Sequence, residues 1–168
     1  IMNLHCSLLP SYRGAAPIQH ALINGDDYTG YTYFRINELL DEGDIILQEK
    51  YKILQSDNCL SIQDSLTALA VSNLSVAISK IVDGKFLDGD HPEKISYANK
   101  IQKKDSFFDW DRDVVSICNR IRALSTWPIA RVNLLGEDIK IIEAHYVQQD
   151  HDITFGKVKA FSKDELLV

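Results

Sequence analysis

The segment Asn3–Gly14 constrains the chain most, because it places reactive side chains close together just before a helix start. It carries an amide, an imidazole, hydroxyl groups and a guanidinium, at Asn3, His5, Ser7, Ser11 and Arg13. Proline then stands at position 17, where the first turn of a helix tolerates its missing N–H. The pattern predicts a strand end over 1–5, a loop over 6–14 and a helix from Ala15 to Asn24 that Gly25 ends.

The apolar patterns that come after this helix in the chain predict an α/β fold. Strands are expected over 31–36 and 45–53, where β-branched and aromatic residues are frequent. A helix is expected to begin at Ser61, with Asp64 three residues later as an approximate capping box, and to end at Gly84. Its apolar residues recur at helical spacing, so one face of this helix should lie on the sheet.

The second half of the chain predicts a change of architecture. Residues 87–106 lose the apolar period and are rich in Gly, Asp, Pro and Lys, which is typical of a linker. We therefore expect one domain over 1–86 and another over 107–168. In the latter, Asp113 should cap a helix that stops at Trp127-Pro128.

Short strands are predicted after that helix, over 130–135, 139–146 and 156–161 and from Leu166 onward. Gly136-Glu137-Asp138 resembles a hairpin turn between the first and second of them. Short strands separated by turns indicate a small β-barrel. The barrel is expected to be partial, because the chain stops at Val168 within a strand pattern.

Composition excludes several classes of protein. The chain has 168 residues, 45% of them hydrophobic, and a net charge of −6, which argues against a dedicated DNA-binding protein with its usual basic surface. The three cysteines, Cys6, Cys59 and Cys118, are too scattered for a disulfide framework or a metal site. No continuous apolar run approaches the roughly 20 residues of a membrane helix. We expect a cytoplasmic protein without a metal or a membrane partner.

The candidate chemistry centres on Asn3 and His5. Two residues apart on a strand, they should point to the same side, where both could donate hydrogen bonds to a carbonyl oxygen that becomes anionic. Asp41, in the loop Leu40–Asp44, could orient the imidazole or stabilise its charge.

Each of these residues also has a plainer explanation. An Asn-x-His pair occurs often by chance, and Asp41 alone is typical of a turn. Cys6 next to His5 is better explained as a small buried residue than as a nucleophile. Arg13 either binds an anion at the helix start or is a solvated charge. Asp41, Glu42 and Asp44 lack histidines at ligand spacing, so a metal site is rejected.

The joint order of these residues closely resembles the methionyl-tRNA formyltransferase family. The matching segments are Asn3–Gln19, Gly25–Gly30, Leu40–Ile45, Tyr97–Ile101, Asp109-Trp110 and Ile121–Pro128. The resemblance implies the C-terminal part of a Rossmann-like formyltransferase domain, then a linker, then a partial OB-like barrel. It also implies that the chain is a fragment that lacks the N-terminal half-Rossmann region and the end of the C-terminal barrel.

The resemblance implies transfer of a formyl group from 10-formyltetrahydrofolate to the amino group of methionyl initiator tRNA, during translation initiation. In the family, the residues that correspond to Asn3 and His5 hold the formyl oxygen. The residue that corresponds to Asp41 pairs with the histidine and helps to move protons through water. The loop bordering the substrate and folate is expected at Ser7, Leu8, Leu9, Pro10, Arg13 and Gly14. The complete protein is expected to be a monomer.

Two other functions remain open. An amino-sugar formyltransferase shares the Asn-x-His pair and the loop, although Ala15–Gln19 and Leu40–Asp44 favour the tRNA enzyme. Alternatively, the chain is a catalytically silent tRNA-binding module, or its basic residues are merely solvated surface charges. The basic residues that could contact phosphates are Lys100, Lys103, Lys104, Arg120, Arg122 and Arg131. The presence of Asn3, His5 and Asp41 argues against a purely binding role.

Overall fold

The computed structural model describes residues 1–87, 94–134, 136–147, 156–157, 160–161 and 166–168. In chain order the elements are β1 (Met2–His5), β2 (Arg13–Gly14), α1 (Pro17–Asn24), β3 (Tyr28–Arg35), β4 (Ile45–Lys52), α2 (Cys59–Val82), β5 (Tyr97–Ala98), a 3-10 turn (Lys103–Ser106), α3 (Val114–Ala123), β6 (Ala130–Leu134), β7 (Glu137–Ile141), β8 (Ala160–Phe161) and β9 (Leu166–Leu167). The mixture of helices and strands agrees with the predicted α/β class.

An antiparallel sheet in the order β1-β3-β4 separates a core face from a polar face. On the core face, Met2 and Leu4 of β1 pack against a cluster that β3, β4, α1 and α2 share. Alternation along β1 therefore turns Asn3 and His5 to the other face. Cross-strand register places Thr32 opposite His5, and Gln48 opposite Thr32. The predicted common orientation of Asn3 and His5 follows from this register.

Helix α2 begins before its predicted start at Ser61. Asn58 is the N-cap and accepts from the backbone N–H groups of Leu60 and Ser61. The Ser61 hydroxyl accepts from the N–H of Asn58, so the capping box joins residues 58 and 61 rather than 61 and 64. The reason is geometric, because Asn58 is the extended residue directly before the first helical turn.

Helix α2 is also long and apolar enough to cross a membrane, by length and composition only. The sequence lacks a continuous apolar run here, because uncharged Ser, Thr and Asn residues interrupt the apolar positions of α2. Asp64 and Lys80 are its only charged residues. One face of α2 is buried against the sheet, at Cys59, Ile62, Leu66, Ala70 and Ala77.

The predicted linker is structured along part of its length. Its strand β5 pairs in parallel with β2, so that Tyr97 lies opposite Arg13 and Ala98 opposite Gly14. A second core then forms around α3 and β6 and includes Ala16 from the first half of the chain. Helix α3 also packs directly on α1. The segment after α2 therefore joins the two halves through contacts as well as through the chain.

The second half forms strand pairs where a partial barrel is predicted. β6 and β7 are an antiparallel hairpin, and β8 pairs with β9. Glu137 pairs with Leu134, so Glu137 and Asp138 belong to β7 and only Gly136, with φ of 87°, keeps its predicted turn position. β7 ends at Ile141, short of the predicted 146. Residue 135, and residues 158–159 within the strand predicted over 156–161, lie outside the described residues.

One buried hydroxyl should determine much of the stability of the Asn3–Gly14 region. Thr32 accepts from the Leu9 N–H at 3.0 Å and donates to the Ser7 carbonyl oxygen at 2.6 Å. Thr32→Val keeps the shape but leaves both buried backbone groups unpaired, so unfolding should become easier by about 2–4 kcal/mol. Urea denaturation measures this change.

The control for Thr32→Val is Thr67→Val. Thr67 lies on the exposed side of α2, and its hydroxyl donates to the Gln63 carbonyl. Its replacement should change stability by less than about 0.5 kcal/mol. Equal effects of the two substitutions would contradict the anchoring role of Thr32.

Candidate active site

The His5 ring is held between two acceptors. Its Nε2 lies 2.8 Å from the Tyr12 carbonyl oxygen, and its Nδ1 lies 3.8 Å from Asp41 Oδ2. A carbonyl oxygen only accepts, so Nε2 carries a hydrogen. With Nε2 as the donor, Nδ1 is the ring nitrogen that faces the Asp41 carboxylate, at a distance longer than a hydrogen bond. His5 is buried, with 7% of its surface exposed, so bulk water screens the pair weakly.

Asp41 is fixed by its backbone and by its side chain. Its φ is 51°, in the left-handed region that Asp and Asn tolerate better than most residues. Its Oδ2 accepts from the Gly14 N–H at 2.8 Å. Two residues on, a Cβ at Gly43 would lie only 1.5 Å from the Arg35 carbonyl oxygen, so only glycine fits there. The loop is thereby pressed onto the end of β3, which places Asp41 beside His5.

Asn3 lies on the same face of β1 as His5 but is exposed. Its Oδ1 accepts from the Leu4 N–H at 2.9 Å. The carboxamide is thereby oriented, and its NH2 group is the end available to an incoming acceptor. The structure thus brings His5 and Asp41 into direct proximity, with Asn3 two residues away on the same strand face.

A cleft of about 250 Å³ opens beside this pair. It is lined by Leu9, Pro10, Arg13, Asp41, Glu42, Gly43, Asp44, Ile45 and Leu87. Its walls therefore come from the Asn3–Gly14 segment, the Leu40–Asp44 loop and the residues after α2. Two of its three carboxylates are paired with arginines, Glu42 with Arg13 and Asp44 with Arg35, which leaves Asp41 as the lining carboxylate that faces His5. Asn3 and His5 do not line the cleft.

Arg13 is an internal part of the cleft wall and not a solvated charge. Its guanidinium pairs with Glu42, and only 11% of the Arg13 side chain is exposed. Its Nε is buried without a hydrogen-bond partner among the described residues. Arg13 therefore has one buried, unpaired donor at Nε, and Glu42 is its ion-pair partner rather than part of a metal site.

The remaining predicted loop residues mainly shape the backbone. The Ser7 hydroxyl is buried and donates to the Ser11 carbonyl oxygen at 2.6 Å. Leu9 is buried with Phe34 and Ile45. Leu8 packs over Gly30, where a Cβ would lie 2.5 Å from the Leu8 side chain. Pro10 lines the cleft.

Cys6 and the acidic loop offer little support for other chemistry. Burial raises the pKa of the Cys6 thiol, which disfavours the thiolate that a nucleophilic cysteine needs. Within the ranges that the structure describes, no group of three or more His, Cys, Asp or Glu side chains could hold a metal ion.

Sequence reasoning missed Tyr12. Its φ is 60°, a strained value for an aromatic residue, yet its carbonyl is the group that holds His5 Nε2. Its hydroxyl donates to Asp26 Oδ2 at 2.6 Å and accepts from Asn24 Nδ2 at 2.9 Å. Burial and the Asp26 carboxylate raise the pKa of Tyr12 to about 12, so the hydroxyl remains a donor. No sequence signal marks Tyr as a left-handed residue.

Comparison with known proteins identifies the family of this chain. Residues 1–78 match the family model described as formyl transferase, and residues 100–168 match the model described as formyl transferase, C-terminal domain. The methionyl-tRNA formyltransferase of Caldicellulosiruptor saccharolyticus is 37% identical over 99% of this chain. That alignment covers 54% of the relative, so the chain spans about half the length of the curated relatives that it matches.

Solved structures show the same fold. HypX from Aquifex aeolicus, in complex with tetrahydrofolic acid, superposes with a TM-score of 0.75 at 19% identity, over 98% of this chain and 29% of HypX. WlaRD, a sugar 3N-formyl transferase, superposes with a TM-score of 0.75 at 22% identity, over 96% of this chain and 58% of that protein.

The fold and the two family models thus define a Rossmann-like formyltransferase domain followed by a formyl transferase C-terminal domain. With family models matched over both parts, this chain belongs to the formyl transferase family. The resemblance to methionyl-tRNA formyltransferases, inferred from the sequence motifs, is confirmed by relatives of that name.

Proposed function

We propose that the protein containing this chain transfers a formyl group from 10-formyltetrahydrofolate to the α-amino group of methionyl initiator tRNA. The observation that carries this proposal is the His5–Asp41 pair beside Asn3, at the edge of an acidic cleft. The 37% identity to a methionyl-tRNA formyltransferase over nearly the whole chain supports the tRNA acceptor. This function assigns the protein to the cytoplasm.

The reaction needs an oxyanion site more than a strong base. An α-amino group has a pKa of roughly 8, so much of it is neutral near pH 7.5. Its nitrogen attacks the formyl carbon, the carbonyl oxygen becomes anionic, and the bond from that carbon to the folate nitrogen then breaks. The amine loses one proton and the folate nitrogen gains one, so no net proton is released.

Asn3 and His5 are suited to stabilise the oxyanion, and Asp41 is suited to assist the proton transfer. The Asn3 NH2 group can donate to the formyl oxygen, and an imidazolium at His5 adds positive charge next to it. In this structure Nε2 of His5 is held by the Tyr12 carbonyl oxygen, so Nδ1, which faces Asp41 at 3.8 Å, is the ring nitrogen that meets the formyl oxygen. Asp41 stabilises the charged ring throughout.

A purely tRNA-binding role fits the structure less well. Two of its six candidate phosphate contacts are used within the protein. Arg120 donates to the Asp105 carbonyl oxygen, and Arg122 donates to the Leu54 carbonyl oxygen at 2.9 Å. Lys100, Lys103 and Lys104 remain exposed and could contact tRNA. We propose that they supply part of the tRNA affinity, which should then fall steeply with salt.

The test is formyl transfer by the full-length gene product from 10-formyltetrahydrofolate, with methionyl initiator tRNA and a nucleotide-linked amino sugar offered in parallel. Turnover on the charged tRNA is the expected result. Turnover only on the sugar would keep the chemistry but replace the acceptor, an outcome that the fold shared with WlaRD makes worth testing. Turnover on neither would reject the proposal.

A further inference from the structure

The segment after residue 93 is built into the loop that carries the candidate active site. The Arg13 N–H donates to the Ser96 carbonyl oxygen at 2.9 Å, and the Ala15 N–H donates to the Ala98 carbonyl oxygen at 2.9 Å. The Ser11 hydroxyl donates to the Lys94 carbonyl oxygen. Because these bonds join residues more than 80 positions apart, the loop backbone depends on a distant part of the chain.

One side chain of this segment reaches the strained residue of the loop. Ser96 Oγ accepts from the Tyr12 N–H at 2.9 Å. Tyr12 is left-handed, with φ of 60°, so its conformation persists only when neighbours hold it. The Tyr12 side chain is held at its far end by Asp26 and Asn24, and its backbone N–H by Ser96.

The Ser96–Tyr12 hydrogen bond is connected to His5 and Asp41 through two further contacts. The peptide unit after Tyr12 carries the carbonyl that accepts from His5 Nε2 at 2.8 Å. That contact turns Nδ1 toward Asp41, and Asp41 is itself held by the Gly14 N–H. Gly14 pairs with Ala98 of β5. Both members of the His5–Asp41 pair are therefore tied to a backbone stretch that residues 96–98 fix in place.

We propose that Ser96 is a positioning residue for formyl transfer, whose hydroxyl fixes Tyr12 so that the Tyr12 carbonyl orients the His5 ring toward Asp41. The part of this inference that concerns reaction rate rests on the proposed function. The orientation of His5 does not, because it is a property of the protein without substrate.

The alternative is that Ser96 only holds the linker against the Asn3–Gly14 segment and does not orient His5. In that case its hydroxyl would affect stability and leave the His5 ring unchanged. Ser96→Thr keeps a hydroxyl, and Ser96→Val has the shape of threonine without it. This pair isolates the hydrogen bond from any change in size, even if both substitutions lower the melting temperature.

The first measurement is the imidazole ¹⁵N spectrum of His5 in the full-length protein, assigned by its loss in His5→Gln. The wild type and Ser96→Thr should show a protonated Nε2, whereas Ser96→Val and Ser96→Ala should show Nε2 and Nδ1 resonances that are shifted or exchange-broadened. Unchanged His5 resonances in Ser96→Val would overturn the inference, whether or not the protein proves to be a formyl transferase.

The second measurement is steady-state formyl transfer. Ser96→Val should lower kcat by about tenfold or more, with the KM for the folate changed less than about threefold, because only the reacting groups are disturbed. Ser96→Thr should restore most of kcat. The control is Ser72→Ala on the exposed side of α2, where the hydroxyl donates only to the Leu69 carbonyl oxygen. Equal kcat values for Ser96→Val and Ser96→Thr would contradict the positioning role.

Discussion

Replacing His5 with alanine should lower kcat for formyl transfer by about 10²–10⁴-fold, the usual contribution of a positioned acid or base. The full-length protein should remain folded, because β1 is held by its pairing with β3 and by Met2 and Leu4 in the core. The loss arises because the site loses both the charge that faces Asp41 and a donor for the formyl oxygen. Steady-state kinetics and thermal melting by circular dichroism measure the two effects separately.

A second substitution separates the chemistry of His5 from its anchoring contact. A glutamine amide can still donate to the Tyr12 carbonyl oxygen, but it cannot become a cation. His5→Gln should therefore melt closer to the wild type than His5→Ala and yet lose activity to a similar extent. The control is His145→Ala, since His145 is exposed and pairs with exposed Glu143. Near-normal turnover in His5→Gln would remove His5 from the mechanism.

The elements that the sequence predicted well are those with local signals. α1 ends as expected, because Gly25 adopts φ of 72° and its N–H bonds back to the last turn. α3 begins as expected, because the Asp113 side chain accepts from the Ser116 N–H. Alternation on β1 likewise predicted that Asn3 and His5 share a face.

What the sequence did not predict depends on contacts between distant residues. Nothing in residues 94–98 themselves indicates a strand, since β5 exists only because the Arg13–Ala16 backbone lies beside it. Tyr12 is a second example, because its left-handed backbone is held by hydrogen bonds to Ser96 and to Asn24 and Asp26, from two separate places in the chain. The family motif Tyr97-Ala98-x-Lys100-Ile101 was the one feature that pointed to a structured stretch here, because the segment otherwise has no apolar period.

The distances within the site are likewise set by the fold. The sequence suggested that Asp41 pairs with His5, but only the fit of Gly43 against the Arg35 carbonyl brings the loop close enough. The sequence left two explanations for Arg13, an anion-binding residue or a solvated charge. The pairing of Arg13 with Glu42 excludes the solvated charge. Sequence motifs thus identify the candidate groups, whereas their orientation comes from backbone contacts made elsewhere in the chain.

Asp41→Asn should lower kcat by about 10²–10³-fold, equivalent to about 3–4 kcal/mol, while the KM for the tRNA changes less than about threefold. Asparagine tolerates the φ of 51° at this position, and its side-chain oxygen can still accept from the Gly14 N–H. The substitution therefore keeps the loop and removes only the negative charge that faces His5 Nδ1 at 3.8 Å. Without that charge, no carboxylate is left beside the ring to stabilise positive charge that develops there during the reaction.

Asp44→Asn is the matched control for Asp41→Asn. Asp44 lies in the same loop and borders the same cleft, but its carboxylate pairs with exposed Arg35 instead of facing the imidazole. An exposed pair of this kind contributes less than about 1 kcal/mol, so kcat should remain within a few-fold of the wild type. If Asp41→Asn instead weakens tRNA binding and leaves kcat unchanged, Asp41 belongs to the binding surface and His5 acts without a carboxylate partner.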